Sequence, residues 1–421
     1  MGTPRFLCCL AAVALLSACG APTTAPLDSS AKATHLDGVD ERNNSTIDSS
    51  AAELAPTVEL TPLDPAAEWV QLGQSPLSPR NEAVGVWTGS EVLVFGGTET
   101  PMCPVCDYAE APPYLRDGAA YAPETDTWRP IADLPQEAAG YSTAIAIGDG
   151  DVFLLSQMSG QIALWQYSIS RDAWSNVPSP QRVPSSARIA GHNGRLVLYA
   201  GSDEQGEVPD QFLDPEAGLW SDVPNDPFEA SYDRQLLSVD GVLVLFAKPI
   251  SAVIDSSQVP RVLAARLDAD EATSTWQILP DGDQLSPPTF ADGALAVSPY
   301  RGGADGGEVN NWGRLVPNGG MLDLSTQTWS HLPGESRKDQ WGGGVVGRSG
   351  ASFTGVQGDV LDLVSGEWFE IPDLPSGLSD GYAHTVVAAG TDLFVFGGGL
   401  QGTVSNDAYV WHTNRVPAPR T

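Results

Sequence analysis

The chain has 421 residues, 42% of them hydrophobic and 12 of them Trp, which is enough apolar material for a large core and excludes disorder throughout. Fifty-three acidic residues against 21 basic ones leave a formal charge of −32, and the only lysines are Lys32, Lys248 and Lys338. Such a surface repels phosphate backbones and anionic lipid headgroups, which argues against nucleic acid as a partner.

The first twenty residues, MGTPRFLCCLAAVALLSACG, carry one positive charge at Arg5, an apolar run from Phe6 to Leu16 and then small residues. That is the pattern of a secretory signal, and the run is too short to be read as a membrane span. The tetrapeptide LSAC, Leu16 to Cys19, resembles the bacterial lipobox. The resemblance implies cleavage before Cys19, a diacylglyceryl group on its sulfur, and an extracytoplasmic protein that meets the bacterial cell membrane through its lipid alone. An ordinary signal peptide cut nearby is the alternative. Removing residues 1–18 takes away Arg5 and no acid, so the charge of −32 becomes −33. Each acyl CH2 buried in the bilayer contributes about 0.8 kcal/mol, so more than one chain is needed for stable attachment. Residues 19–66 are rich in Ala, Thr, Ser, Pro and acids without apolar periodicity, and read as a flexible tether; a degenerate small domain is the other reading.

From residue 67 a repeat begins. Trp followed three residues on by a hydrophobe occurs at Trp69, Trp128, Trp174, Trp220, Trp276, Trp329 and Trp368, at intervals of about 39 to 59 residues, the length of a four-stranded unit. In the last five the next residue is Pro: Pro178, Pro224, Pro280, Pro333 and Pro372. Seven residues before the Trp stands Tyr or Leu in five units (Tyr121, Tyr167, Leu213, Leu322, Leu361), with turn-forming residues between. After most Trp positions comes a continuous apolar run: VLVF at 92–95, VFLL at 152–155, LVLYA at 196–200, VLVLF at 242–246, ALAV at 294–297 and LFVF at 393–396. Runs this short, bounded by Gly, Asp and Pro, predict strands covered on both faces rather than helices.

These residues resemble the kelch repeat over about residues 68–413, most sharply in PRNEAVGVWTGSEVLVFGG at 79–97 with YAPETDTW at 121–128, and in YAHTVVAAGTDLFVFGGG at 382–399. The resemblance implies an all-β, seven-bladed β-propeller with one four-stranded blade per repeat. The middle units depart from it, with Ser156-Gln157, Ala247-Lys248 and Ser298-Pro299 in place of the glycine pair. Six units end in Trp and a seventh begins after Pro375 without one, so the strand around Trp69 is expected to close the ring by joining the last blade. The propeller is expected over 67–416, followed by a tail at 417–421.

Longer connections between second and third strands in units 1, 4 and 5 predict that one end of the ring is loop-rich. The unit 1 insertion holds Cys103 and Cys106, which at this spacing in an oxidising compartment read as a disulfide worth roughly 2 kcal/mol, with redox chemistry and a metal half-site as alternatives. The unit 5 insertion mixes Tyr300, Arg301, Asp305, Glu308, Trp312 and Arg314, a set suited to a sugar ring and equally to a solvated loop with one Trp folded back. Innermost strands are expected to begin near Arg80, Tyr141, Arg188, Arg234, Trp341 and Tyr382, which would ring the channel mouth together with His384. Arginines there suit anionic ligands or bonds between blades.

Two functions fit. One is a surface-displayed binding module for a glycan or envelope protein; the other is a carbohydrate-active enzyme, because the kelch group includes copper-dependent galactose oxidase and a sialic acid epimerase. The oxidase resemblance implies two His, two Tyr and a Cys joined to Tyr. Of the five His, His35, His192, His331 and His412 lie in the tether, a hairpin turn, an outer strand and the C-terminal region, leaving His384 alone on an inner strand. No metal, no cofactor and a monomer are therefore expected, and no acid pair is singled out by spacing.

Overall fold

The computed structural model describes residues 62–64, 66–101, 113–135, 142–148, 151–158, 161–178, 180, 182–184, 186–250, 261–267, 274–305, 315–334, 343–375, 383–400 and 402–413. The signal, Cys19, nearly all of the tether, Cys103, Cys106 and the tail lie outside them. Among the described residues there is no α-helix. Seven four-stranded sheets follow one another: blade 1 at 84–131, blade 2 at 143–177, blade 3 at 187–222, blade 4 at 231–282, blade 5 at 290–330, blade 6 at 343–370 and blade 7 at 385–411. Two further two-strand ribbons, Gly303–Asp305 with Leu315–Pro317 and Gly399–Leu400 with Thr403–Val404, sit on blades 5 and 7.

Blade 7 takes its outermost strand from the beginning of the chain. Trp69–Gln71 pairs antiparallel with Ala408–Trp411 in the register Trp69 to Trp411, Val70 to Val410 and Gln71 to Tyr409. The packed body starts before the expected boundary at 67, because Leu63 is only 2% exposed, its N–H donates to the Asp362 carboxylate of blade 6, and Asp64 N–H donates to Thr413 O. An apolar side chain within reach of a neighbouring blade is drawn in, even from a segment whose composition reads as tether.

Every second strand that the apolar runs predict is a strand, and the runs are buried on both faces. Hydrophobic clusters lie between successive blades, as between Leu93, Phe95 and Ala120 of blade 1 and Val152, Leu154 and Tyr167 of blade 2. Tyr121, Tyr167, Leu213, Leu322 and Leu361 stand directly opposite Trp128, Trp174, Trp220, Trp329 and Trp368. The turn between them needs a left-handed residue two before the Trp. Asp126, Asp172, Gly218, Gln327 and Gly366 supply it with φ between 47 and 71°.

The seven Trp of the repeat do one more thing. Each indole N–H donates to a backbone carbonyl of the preceding blade, four residues beyond that blade's own Trp. The acceptors are Pro178, Pro224, Pro280, Pro333 and Pro372 at 2.7 Å for Trp220, Trp276, Trp329, Trp368 and Trp69. Ala132 accepts from Trp174 at 2.9 Å and Gly73 from Trp128 at 3.1 Å. The bonds run round the whole rim, and the N-terminal strand supplies both a donor and an acceptor to the circle.

Blade 6 corrects one expectation. The strand following Trp341, Gly343–Val346, is second in its sheet; Ala351–Phe353 is innermost, and Gly343–Val346 pairs parallel with Asp359–Asp362. The second position is covered on both faces and takes the more apolar stretch. Gly343–Val346 is wholly buried, whereas Ala351–Phe353 is half-buried. In the other units the apolar run is the second arm of the inner hairpin; here it is the first.

Candidate functional site

Connections from second to third strand and crossovers from blade to blade emerge at the same end of the ring, and there the side chains of blades 3 and 4 build a site. The innermost strand of blade 4, Ser231–Val239, carries a β-bulge between Tyr232 and Gln235, with Asp233 left-handed at φ 49°. The bulge breaks the two-residue alternation and re-aims Arg234 toward blade 3. Its guanidinium is buried and meets three carboxylates: Asp210 at 2.8 Å and Asp203 at 3.4 Å from the blade 3 connection, and Asp226 at 3.1 Å from the crossover. Arg234 also donates through Nε to Ala200 O and through a terminal nitrogen to Ser231 Oγ. Asp203 accepts from the N–H and the hydroxyl of Ser231, and Asp210 accepts from Ala200 N–H.

One cation against three anions leaves the cluster with surplus negative charge. Burial pushes the Asp210 carboxyl up to about 6; Arg234 and the Ala200 N–H pull against it, and Asp226 adds to it. Burial opposes the charged form of Arg234, but Asp210, Asp226 and Asp203 outweigh it and hold the guanidinium above its ordinary range. Beside the cluster opens a cavity of about 360 Å³, lined by Arg182, Glu207, Pro209, Asn225 and Phe228 as well as Asp226. The arrangement presents a carboxylate-rich wall.

A second cavity, of about 590 Å³, is formed by the starts of the inner strands of blades 1, 2 and 7 and by the end of that of blade 6, with Glu82, Ser142, Thr143, Thr354, His384 and Thr385 on its wall. His384 Nδ1 donates to Gly397 O at 2.7 Å; a carbonyl can only accept, so the proton sits on Nδ1.

Of the residues singled out in the sequence, Arg80 is fully buried and donates to Ser78, Gly96 O and both oxygens of Asp117, tying its own blade together. Arg234 and His384 each line a cavity. Arg301 pairs with Asp359 at 2.7 Å and lies 5.0 Å above the Trp368 ring, joining blades 5 and 6; the neighbouring Tyr300 is half-buried. Tyr141, Trp312, Trp341 and Tyr382 lie outside the described residues. The structure does not bring Arg80, Arg234 and Arg301 together, since each serves a different blade. Asp203, Asp210, Asp226 and Glu82 carry no sequence signal: they are four among 53 acids, and only folding makes neighbours of residues from separate loops. Among the described residues, no group of three or more His, Cys, Asp or Glu is placed to hold a metal ion.

A closed ring of seven four-stranded blades, each with a rim Trp at its outermost strand, is a β-propeller of the kelch type. Human Kelch repeat and BTB domain-containing protein 13 aligns at 24% identity over 274 residues, which is 62% of this chain and 54% of that protein, so the chain spans about half the length of this curated relative. No family model matches the chain. The solved structure of YjhT superposes over 80% of this chain and 96% of its own at 12% identity, with a TM-score of 0.41, too loose to carry an argument.

Proposed function

We propose that the protein is a binding module without catalytic activity, held outside the bacterial cell by a lipid on Cys19, whose loop-rich end takes up a glycan or an envelope protein. The observation that carries this reading is the division of labour between the two ends of the ring. One end bears short turns, as at Asn193-Gly194 and Asp240-Gly241, both left-handed at their two central residues. The other bears the long connections, and its acid-rich pocket beside Arg234 suits a partner with basic or hydroxyl groups; a cavity of about 740 Å³ also opens at the short-turn end, but no buried ion cluster of the Arg234 kind lines it among the described residues. A tether over residues 19–61 would give that end freedom to search.

The test has two arms. In a bacterial host the full chain is expected in the membrane fraction, with a diacylglyceryl mass on the Cys19 peptide, and Cys19→Ala is expected in the soluble fraction; a Cys19→Ala protein that still sediments with membranes overturns the anchor. For the binding face, a photo-crosslinking side chain replaces Glu207 or Asn225 beside the pocket, or Asp240 at the opposite end. Adducts with envelope components from the first two positions and none from Asp240 support the reading. Equal labelling from both ends, or none at all, overturns it.

A further inference from the structure

The Arg234 pocket holds more acid than its own arginine answers, and the arrangement of the acids points to what completes it. All three aspartates turn Oδ2 to the guanidinium. Of their other oxygens, Asp210 Oδ1 accepts from Ala200 N–H and Asp226 Oδ1 from Phe228 N–H. Asp203 Oδ1 accepts nothing among the described residues, although the side chain is only 7% exposed. A carboxylate oxygen held that deeply is costly without a donor. Asp203 lines the cavity, so the cavity is where a donor can reach it.

Electrostatics select the donor. Four carboxylates line the cavity, those of Asp203, Asp210, Asp226 and Glu207, against the guanidiniums of Arg234 and Arg182. The sequence of the flanking segments leaves that surplus intact: Ser179, Gln181 and Ser185 of the crossover from blade 2 to blade 3 are uncharged, and residues 251–260 of the blade 4 connection bring only Asp255. A cation is therefore favoured. Because Arg234 already occupies one oxygen of each aspartate, no carboxylate of the three offers a guanidinium fork two free oxygens, whereas a compact ammonium takes single oxygens from several. The rest of the lining suits a stem. Val208, Pro209, Val223 and Phe228 supply apolar wall, and a volume of about 360 Å³ has room for one long side chain. Arg182 and Asn225 stand exposed at the rim, where they can donate to main-chain carbonyls on either side of an inserted residue.

Asp210 couples such binding to pH. Around it stand Arg234 from the inner strand of blade 4, Asp226 from the crossover and Asp203 from its own connection. Tyr199, on the second strand of blade 3, is kept neutral by burial, and Arg188 donates to Arg234 O. Burial places Asp210 at about 6, so the wall gives up one negative charge as the pH falls through that value. A cation bound beside it favours the ionised form.

We infer that the Arg234 pocket receives one lysyl side chain of a partner protein, its ammonium on Asp203, Asp210 and Asp226 and its stem along Pro209 and Phe228. The inference rests on the reading of this end as a binding face and narrows the partner to a protein. It is tested by saturation-transfer NMR titrations of the full chain with Nα-acetyl-lysine methylamide, its Nε-acetylated analogue and n-butylamine. Transfer to the lysine probe and none to the acetylated analogue is expected, with butylamine weaker than the lysine probe. Asp203→Asn should weaken the lysine probe at least about tenfold, and Glu207→Gln about threefold. Affinity should fall about fivefold from pH 7.5 to 5 in the wild type and stay level in Asp210→Asn, which a merely structural role would not do. If thermal unfolding shows Asp203→Asn to be unfolded, Glu207→Gln at its exposed position and the wild-type pH profile decide. No transfer to the lysine probe at millimolar concentration, equal transfer to the acetylated analogue, affinity untouched by the variants, or a level wild-type profile overturns the inference, and butylamine binding as tightly as the lysine probe overturns its assignment to a polypeptide. If cross-links from Asn225 persist in any of these cases, the binding-face reading stands without it.

Discussion

The indole N–H of Trp220 crosses a blade boundary to the carbonyl of Pro178, and that bond explains why the repeat wants Trp and Pro four residues apart. Proline at the end of an outer strand has no N–H to offer a further strand, so it stops pairing and leaves its carbonyl for the next blade. At the two junctions where Gly73 or Ala132 replaces proline the bond is made, and is longer. Trp220→Phe keeps most of the ring and loses the donor. It is expected to cost about 1 kcal/mol in urea unfolding, whereas Trp220→Ala, which also removes the packing, should cost clearly more. A second residue-scale expectation concerns Asp210. Its folded value of about 6 lies above the ordinary 3.8, so the protonated form favours the fold. That contribution is complete below about pH 3.8 and is lost as the pH rises through about 6. Asp210→Asn cannot ionise, so urea titrations between pH 4 and 7 should show the wild type losing stability relative to the variant as pH rises; parallel curves would contradict the burial of this carboxyl. Neither role was legible in the chain. A Trp spacing announces a repeat but not its hydrogen-bond acceptor, and Asp210 resembles every other loop aspartate until Arg234 is turned toward it.

At the scale of the element, blade 6 separates pattern from arrangement. An apolar run after the turn of the inner hairpin is present in the other six units and missing here, and the missing run marks the place where the strand order changes. Which strand then takes the covered position was not readable, because a hairpin can pair with the third strand through either arm. Burial settles it, placing Val345 between Val297 of blade 5 and Leu361 of its own sheet. Val345→Ala is expected to cost about 2 kcal/mol in chemical denaturation. A cost near zero would mean that the side chain faces the channel and that the expected order holds after all. The inversion also turns the chain end for end on the inner wall, so blade 6 brings Thr354 to the channel mouth from the end of its strand, where its neighbours bring the beginnings of theirs.

For the whole molecule the decisive fact is closure. Seven wedge-shaped sheets leave two edges unless the first and last segments meet, and here Trp69–Gln71 covers Ala408–Trp411 while Leu63 fills a gap beside blade 6. Deleting residues 62–73 uncovers Trp411, now 1% exposed, and leaves a strand edge free to pair with another chain. The deleted protein is expected to unfold at least about 10 °C lower and to aggregate; an unchanged thermal midpoint would show that the strand does not hold the ring. Local chemistry was enough to determine the number of blades, their second strands, the Trp-to-Tyr or Trp-to-Leu pairing and the N-terminal closure, since each depends on a short run of residue types or on a count of units. The Arg234 cluster, the inverted hairpin of blade 6 and the meeting of Glu82 with His384 were decided by tertiary structure alone. Each joins residues far apart in the chain, and whether a charge or hydroxyl becomes a site depends on what neighbouring blades bury beside it.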